Sequence, residues 1–246
     1  MKILRLLKGA GIRSSYGTMG ASASTLIDDE GIKIIVDIGH FGNRDALNSS
    51  LKANGLNFKD IDKVVLTHLN WDHCLNIDLF ENSEILLNEN EFKEGTLSGI
   101  ADNFSIKFKE FLSTFKIKFV DEGYYVSPHS YILDTPGHTI GHISLVLKDN
   151  AKTIIIAGDA IPNLRSYDRG VPDLIFYNLD YAIKSIEKVK NLNPDIIYPG
   201  HDPPFNKKGY LEEDPIDIIL RNRDESNTVV EINKKIAEKP LVIKNE

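Results

Sequence analysis

Val64-Val65-Leu66-Thr67-His68-Leu69-Asn70-Trp71-Asp72-His73 is an apolar run that ends abruptly in two histidines and an aspartate. Its opening residues are β-branched and bounded by polar neighbours, the pattern of a short buried strand. Where the strand ends the chain turns, and side chains at 68, 70 and 72 can converge on one point. His68 and His73 offer neutral ring nitrogens and Asp72 an anionic oxygen, the donor types of zinc and other first-row metals. Taken singly, each residue has a plainer reading. Asp72 suits the cap of a short helix, the histidines suit polar strand ends, and Trp71 suits a core. Three later stretches repeat the pattern of chemistry placed where a strand stops. They are Asp134-Thr135-Pro136-Gly137-His138, Ala157-Gly158-Asp159 and Pro199-Gly200-His201.

In this order the four stretches resemble the signature of the metallo-β-lactamase superfamily: His-x-His-x-Asp-His, a distant histidine, a bridging aspartate and a last histidine. The resemblance runs from about Leu26 to Pro204. It implies an α/β (α+β) fold, the four-layer αββα sandwich. Periodicity alone supports an α/β layered domain. The resemblance also implies two metal sites. His68, position 70 and His138 would form the first, and Asp72, His73 and His201 the second, with Asp159 bridging them. Asp72 is in addition the candidate catalytic residue. Where the family carries its second histidine, this chain has Asn70. A neutral amide oxygen is a poorer partner for zinc than imidazole and suits harder metals better. The expected cofactor is zinc, two ions per chain bound with unequal affinities. Iron or manganese, or a single metal in the second site, are the other outcomes.

Around these ligands, the turn Asp37-Ile38-Gly39-His40 resembles the one that places an aspartate behind the metal histidines. A carboxylate there fixes an imidazole's tautomer and orientation. His40 either lies on a surface loop or reaches the mouth of the site. His142 rivals His138 as a ligand, but the family pattern Thr-Pro-Gly-His-x-x-Gly-His-x-Ser gives the metal to His138. His129 reads as a loop histidine. Two divalent cations, two aspartates and a hydroxide leave about +1 at the centre, which favours a developing oxyanion. A metal-bound water can reach a pKa of ~7. The resemblance thus implies a metallo-hydrolase whose metal-bound hydroxide attacks an ester, thioester or lactone carbonyl of a small molecule. It is nearer to lactonases and glyoxalase II-like enzymes than to antibiotic-degrading β-lactamases. One alternative is a mononuclear iron dioxygenase of sulfur compounds built on His68, His138 and Asp159. The other is a non-catalytic binding protein with a degraded site.

The 246 residues are 41% hydrophobic, which suits one domain over 1–246. Residues 211–246 read as a helical C-terminal segment, polar enough to permit a homodimer. A net charge of −7, from 29 basic and 36 acidic residues, disfavours a nucleic-acid partner. No window reaches the length of a membrane span, and Met1–Lys8 is too short a run for a signal peptide. The one cysteine, Cys74, forms no intrachain disulfide and reads as a buried thiol, so a cytoplasmic protein is expected. Gly9–Ser24, with Arg13, Tyr16 and Met19, reads as a flexible hairpin connection, and the resemblance implies a loop beside the metal mouth that touches substrate. The irregular segment Ala160–Asn178 carries Arg165, Tyr167 and Arg169, either for an anionic substrate or as exposed charges.

Overall fold

Successive residues of a strand point to opposite faces, and the buried strand residues here sort accordingly into separate cores. The computed structural model describes residues 1–14, 17–211, 219–221, 227–229 and 241–242. One sheet holds β1 (Lys2–Leu7), β2 (Ser24–Asp29), β3 (Ile32–Val36), β4 (Lys63–Val65), β5 (Glu84–Leu87) and β6 (Ile117–Phe119), in that spatial order. The other holds β7 (Tyr125–Ser127), β8 (Ser130–Asp134), β9 (Ile143–Asp149), β10 (Lys152–Gly158), β11 (Ile196–Pro199), β12 (Phe205–Asn206) and β13 (Gly209–Tyr210), also neighbour to neighbour. Ile27, Ile34, Val36, Val65 and Leu86 of the first sheet pack against Ile132, Ile143, Leu145, Leu147, Ile154 and Ile156 of the second. Their neighbours one residue away, Leu26, Ile35, Val64 and Ile85, face outward with α1 (Arg44–Ala53) and α4 (Asn103–Leu112). On the far side Val146, Ile155 and Ile197 meet Ile186 and Val189 of α6 (Leu179–Asn191). The result is the four-layer αββα sandwich. Each fully buried Ile, Leu or Val contributes about 1.5–3 kcal/mol.

Pairing is antiparallel at β1/β2 and β2/β3, then parallel from β3 through β6; in the second sheet only β10/β11 is parallel. The turn joining β2 and β3 has Glu30 at φ 55° and Gly31 at φ 89°, the pair of left-handed residues a tight hairpin needs. The parallel strands β4, β10 and β11 all end at the same edge of the sandwich. Loops at the carboxyl ends of parallel strands are where α/β folds place ligands.

Two expectations need correction. Ala160–Asn178 is not irregular throughout: α5 (Leu164–Arg169) and a short strand, Leu174–Ile175, lie within it. Asn163 caps α5 by accepting the Ser166 N–H, and Gly170 ends it at φ 79°. In the expected C-terminal helix, the residues described beyond Leu211 are strands: Ile219–Arg221 pairs with Asn227–Val229, and Leu241–Val242 with Leu174–Ile175. The remainder of 212–246 lies outside the described residues, as does Tyr16. Among the described residues no helix is long and apolar enough to cross a membrane.

Candidate metal centre

Beyond β4 the chain bends at Thr67 and reaches Asn70, whose backbone is extended, before turning into the short helix α2 (Trp71–Cys74). Asn70 is the N-cap residue, yet its side chain makes no cap bond and points away from the helix end. Asp72 and His73 enter from α2, and His138 from the turn after β8. Asp159 follows β10, and His201 follows β11 after Gly200. His73 Nε2 lies 3.4 Å from Asp159 Oδ1 and 3.9 Å from Asp72 Oδ2. His201 Nε2 lies 3.2 Å from Asp159 Oδ2 and 3.6 Å from Asp72 Oδ2, and His138 Nε2 is 3.5 Å from Asp159 Oδ2. One ligand atom from each of His68, His73 and Asp159 lies within 4.8 Å of the others, and the same holds for Asp72, His73 and His201. The structure thus brings together the seven positions that four separate stretches contribute.

Each ring is held from behind. His73 Nδ1 donates to Asp37 Oδ2 at 2.7 Å, His138 Nδ1 to the Leu174 carbonyl at 2.8 Å and His201 Nδ1 to the Ala21 carbonyl at 3.0 Å. These bonds keep the proton of the neutral ring on Nδ1 and turn Nε2 toward the cluster, where a metal would take its lone pair. His73 Nε2 and Asp159 Oδ1 are buried and without a hydrogen-bond partner. Orphaned buried polar atoms are costly, and a divalent cation satisfies both at once. The residues therefore fit a metal centre of nitrogen and oxygen donors.

Asp37 does more than hold His73. Its Oδ1 accepts the Thr67 N–H and its Oδ2 the Thr67 hydroxyl, both at 2.8 Å. Its own backbone sits at φ 54°, a conformation aspartate tolerates better than most residues. His142 uses both nitrogens elsewhere. Nε2 accepts the N–H groups of Asp159 and Ala160 at 3.0 and 3.2 Å, and Nδ1 donates to the Thr135 hydroxyl at 2.9 Å. It shapes the Asp159 loop and has no nitrogen left for a metal. Gly158 sits there at φ 50°, where a Cβ would meet Thr67 Oγ1 at 2.8 Å and His142 Nε2 at 2.9 Å.

Electrostatics follow the same division. Burial works against a charged His73, but Asp37, Asp159 and Asp72 outweigh it and hold the ring well above its ordinary value. Burial likewise opposes charge on His201, and Asp159 and Asp72 still push it up to about 9. Burial disfavours the Asp159 carboxylate, but His201 and His73 hold it well below the usual range. Burial pushes His68 and His138 down. A pH effect follows. A histidine raised in the folded state stabilises the fold fully below its ordinary value near 6.5 and loses that contribution as pH rises through about 9. Chelator-treated protein should therefore melt progressively lower from pH 6.5 to 9.5, while metal-loaded protein, its rings already deprotonated, should not share this loss. Parallel pH profiles of the two forms would contradict the assignment.

Other expected contacts resolve differently. Arg165 and Arg169 both pair with Asp173, at 2.7 and 2.9 Å, and Tyr167 packs on Phe205. The two arginines tie α5 to the loop that follows it, and Tyr167 packs α5 onto β12. His40 caps the turn Phe41–Asn43, its Nδ1 accepting the Gly42 N–H, and its ring meets Trp71 edge-on at 4.8 Å. His129 bonds Asp29. Cys74, as expected, is a fully buried thiol, and burial raises its pKa. The loop Gly9–Ser24 serves the site through its backbone and serines: Ala21 holds His201, Ala23 N–H bonds Gly200, and the Ser22 hydroxyl donates to the Asp72 carbonyl.

Glu91 was not legible as a site residue. It is fully buried on α3 (Glu89–Glu94), accepting Leu69 N–H at 3.0 Å and Gly141 N–H at 2.9 Å. It ties the loop of His68 to the loop of His138. Glu91→Gln sets an amide N–H against one of those donors and should cost about 1–3 kcal/mol. Denaturant melts of the metal-free protein would read this, and a change below a few tenths would remove Glu91 from the account.

Comparison with known proteins adds to this geometry. The model of the metallo-β-lactamase superfamily matches residues 17–85 and 128–201, which contain all seven positions. A "Probable metallo-hydrolase" of Methanocaldococcus jannaschii is 31% identical over 169 residues, covering 69% of this chain and 70% of its own. An N-acyl homoserine lactonase of a Bacillus species is 26% identical over 163 residues, 64% of this chain and 62% of that one. A crystal structure of Bacillus thuringiensis AiiA with N-decanoyl-L-homoserine at its active site is similar in fold. Its TM-score is 0.65 and its identity 21%, over 81% of this chain and 92% of its own.

Proposed function

We propose, for a chain that belongs to the metallo-β-lactamase superfamily and is a metal-dependent hydrolase, that it hydrolyses a small-molecule ester, thioester or lactone with zinc as its metal. The reading is carried by His73 Nε2 and Asp159 Oδ1, buried 3.4 Å apart without a hydrogen-bond partner at the meeting point of the other donors. His68, His138 and Asp159 would hold one ion, and Asp72, His73, His201 and Asp159 the other. Ions bound there would polarise a carbonyl oxygen and make a water acidic enough to react near neutral pH, with a pKa of ~7.

The chain's own residues supply positioning. Asp37 and the carbonyls of Leu174 and Ala21 keep the Nε2 atoms aimed inward, which limits reorganisation when substrate enters. Asp72 is nearly buried and faces both His73 and His201, so its free oxygen can orient a water between them. The Phe176 ring lies 5.2 Å from the His138 ring, and half-buried Trp71 lies against His40. These rings offer an apolar wall for the acyl side of a substrate. The lactonase names of two similar proteins support the substrate class. Zinc-loaded protein should release acid from at least one of an acyl lactone, a thioester and an aryl ester. The expected kcat/KM is above about 10^4 per molar per second. Turnover should vanish with chelator and return with zinc. No acid release from any of the three classes would overturn the proposal.

A further inference from the structure

The Thr67 hydroxyl has a single hydrogen, which it donates to Asp37 Oδ2 at 2.8 Å. Against His68 Nδ1, 2.9 Å away, it can therefore only accept. A neutral His68 ring then carries its proton on Nδ1, as His138 does through Leu174, and both Nε2 atoms are bare. Asn70 Oδ1 lies 3.0 Å from His68 Nε2 and 2.8 Å from His138 Nε2. The amide cannot be turned to supply a donor, because its Nδ2 donates to the Thr96 carbonyl at 3.0 Å, an oxygen that only accepts. Three lone pairs thus converge at hydrogen-bond distance with no proton among them. Such an arrangement is repulsive unless a cation sits between the atoms.

We infer that the Asn70 carboxamide oxygen is a metal ligand of the first site, so that both sites have two nitrogens and two oxygens and differ by one negative charge. The first site draws on His68, His138, Asn70 and Asp159, and the second on His73, His201, Asp72 and Asp159. An amide oxygen stands in one where a carboxylate stands in the other. The charge difference makes the sites fill in order, the Asp72 site first. The inference rests on the metal-centre reading above.

The test is competition titration of the metal-free full chain with zinc against a chromophoric chelator. Wild type should show two binding events separated by at least about tenfold, the scale at which even groups behind the ligands alter metal affinity. Asn70→Asp, which keeps the shape and restores the charge, should tighten the weaker event until the two merge. Asn70→Ala should lose the weaker event and keep the stronger, with a melting curve showing that it folds. Two unchanged events in Asn70→Ala, or no tightening in Asn70→Asp, would overturn the role of Asn70 while leaving the centre intact. A wild type that binds no zinc would overturn the centre and this inference with it.

Discussion

Asp72→Ala should lower kcat/KM for hydrolysis by about 10^3-fold or more, the scale of a single catalytic group, while the protein still folds. The separation of effects comes from how Asp72 is held. Its backbone carbonyl takes the Ser22 hydroxyl, and that anchor survives the substitution. Its carboxylate faces His73 and His201, so what is lost is an oxygen of the proposed metal centre. The metal-free melting temperature should move by no more than a few degrees, as for a loss of roughly 1 kcal/mol. Full residual activity in a folded Asp72→Ala protein would sink the mechanism. Loss of folding would place Asp72 in the scaffold instead.

Asp37→Ala should have the largest combined effect on stability and metal affinity. The carboxylate takes the Thr67 N–H, the Thr67 hydroxyl and His73 Nδ1 in a buried setting. Removing it strands these donors at about 1–3 kcal/mol apiece, and puts alanine at a left-handed φ that aspartate tolerates better. A total of about 3–5 kcal/mol is expected for the metal-free protein, partly relieved by relaxation. Asp37→Asn separates the charge from the backbone role, because asparagine also accepts φ > 0. It should stay folded yet bind zinc about 10–100-fold more weakly, since a neutral group no longer supports the His73 ring. Wild-type zinc affinity in Asp37→Asn would show that Asp37 acts on folding alone.

The candidate metal positions stood out in the sequence because they lie in turns beyond apolar runs, where a polar group either faces a cavity or stays in water. The layers were legible too, because β3, β9 and β10 carry short, nearly continuous apolar runs, as strands covered on both faces do. Other features had no local signal. Glu91 lies in Glu89-Asn90-Glu91-Phe92-Lys93-Glu94, whose composition reads as a solvated helix; only the approach of Gly141 from a distant turn makes it a brace. The Thr67 hydroxyl owes its role to Asp37, thirty residues away in sequence. Leu174–Ile175 becomes a strand through pairing with residues 241–242, a contact no short window contains. The helix α5 has local signals, Asn163 as cap and Gly170 as stop, but it is short and flanked by Pro162 and Pro172, so the stretch reads as irregular.

The most direct test of the centre is elemental analysis of the full chain, purified without chelator and then reconstituted, alongside its chelator-sensitive hydrolysis. About two divalent ions per chain are expected, as for a two-metal hydrolytic site, with zinc supporting turnover. Protein that binds no divalent metal after reconstitution, or that hydrolyses its substrate equally well when stripped, would contradict it.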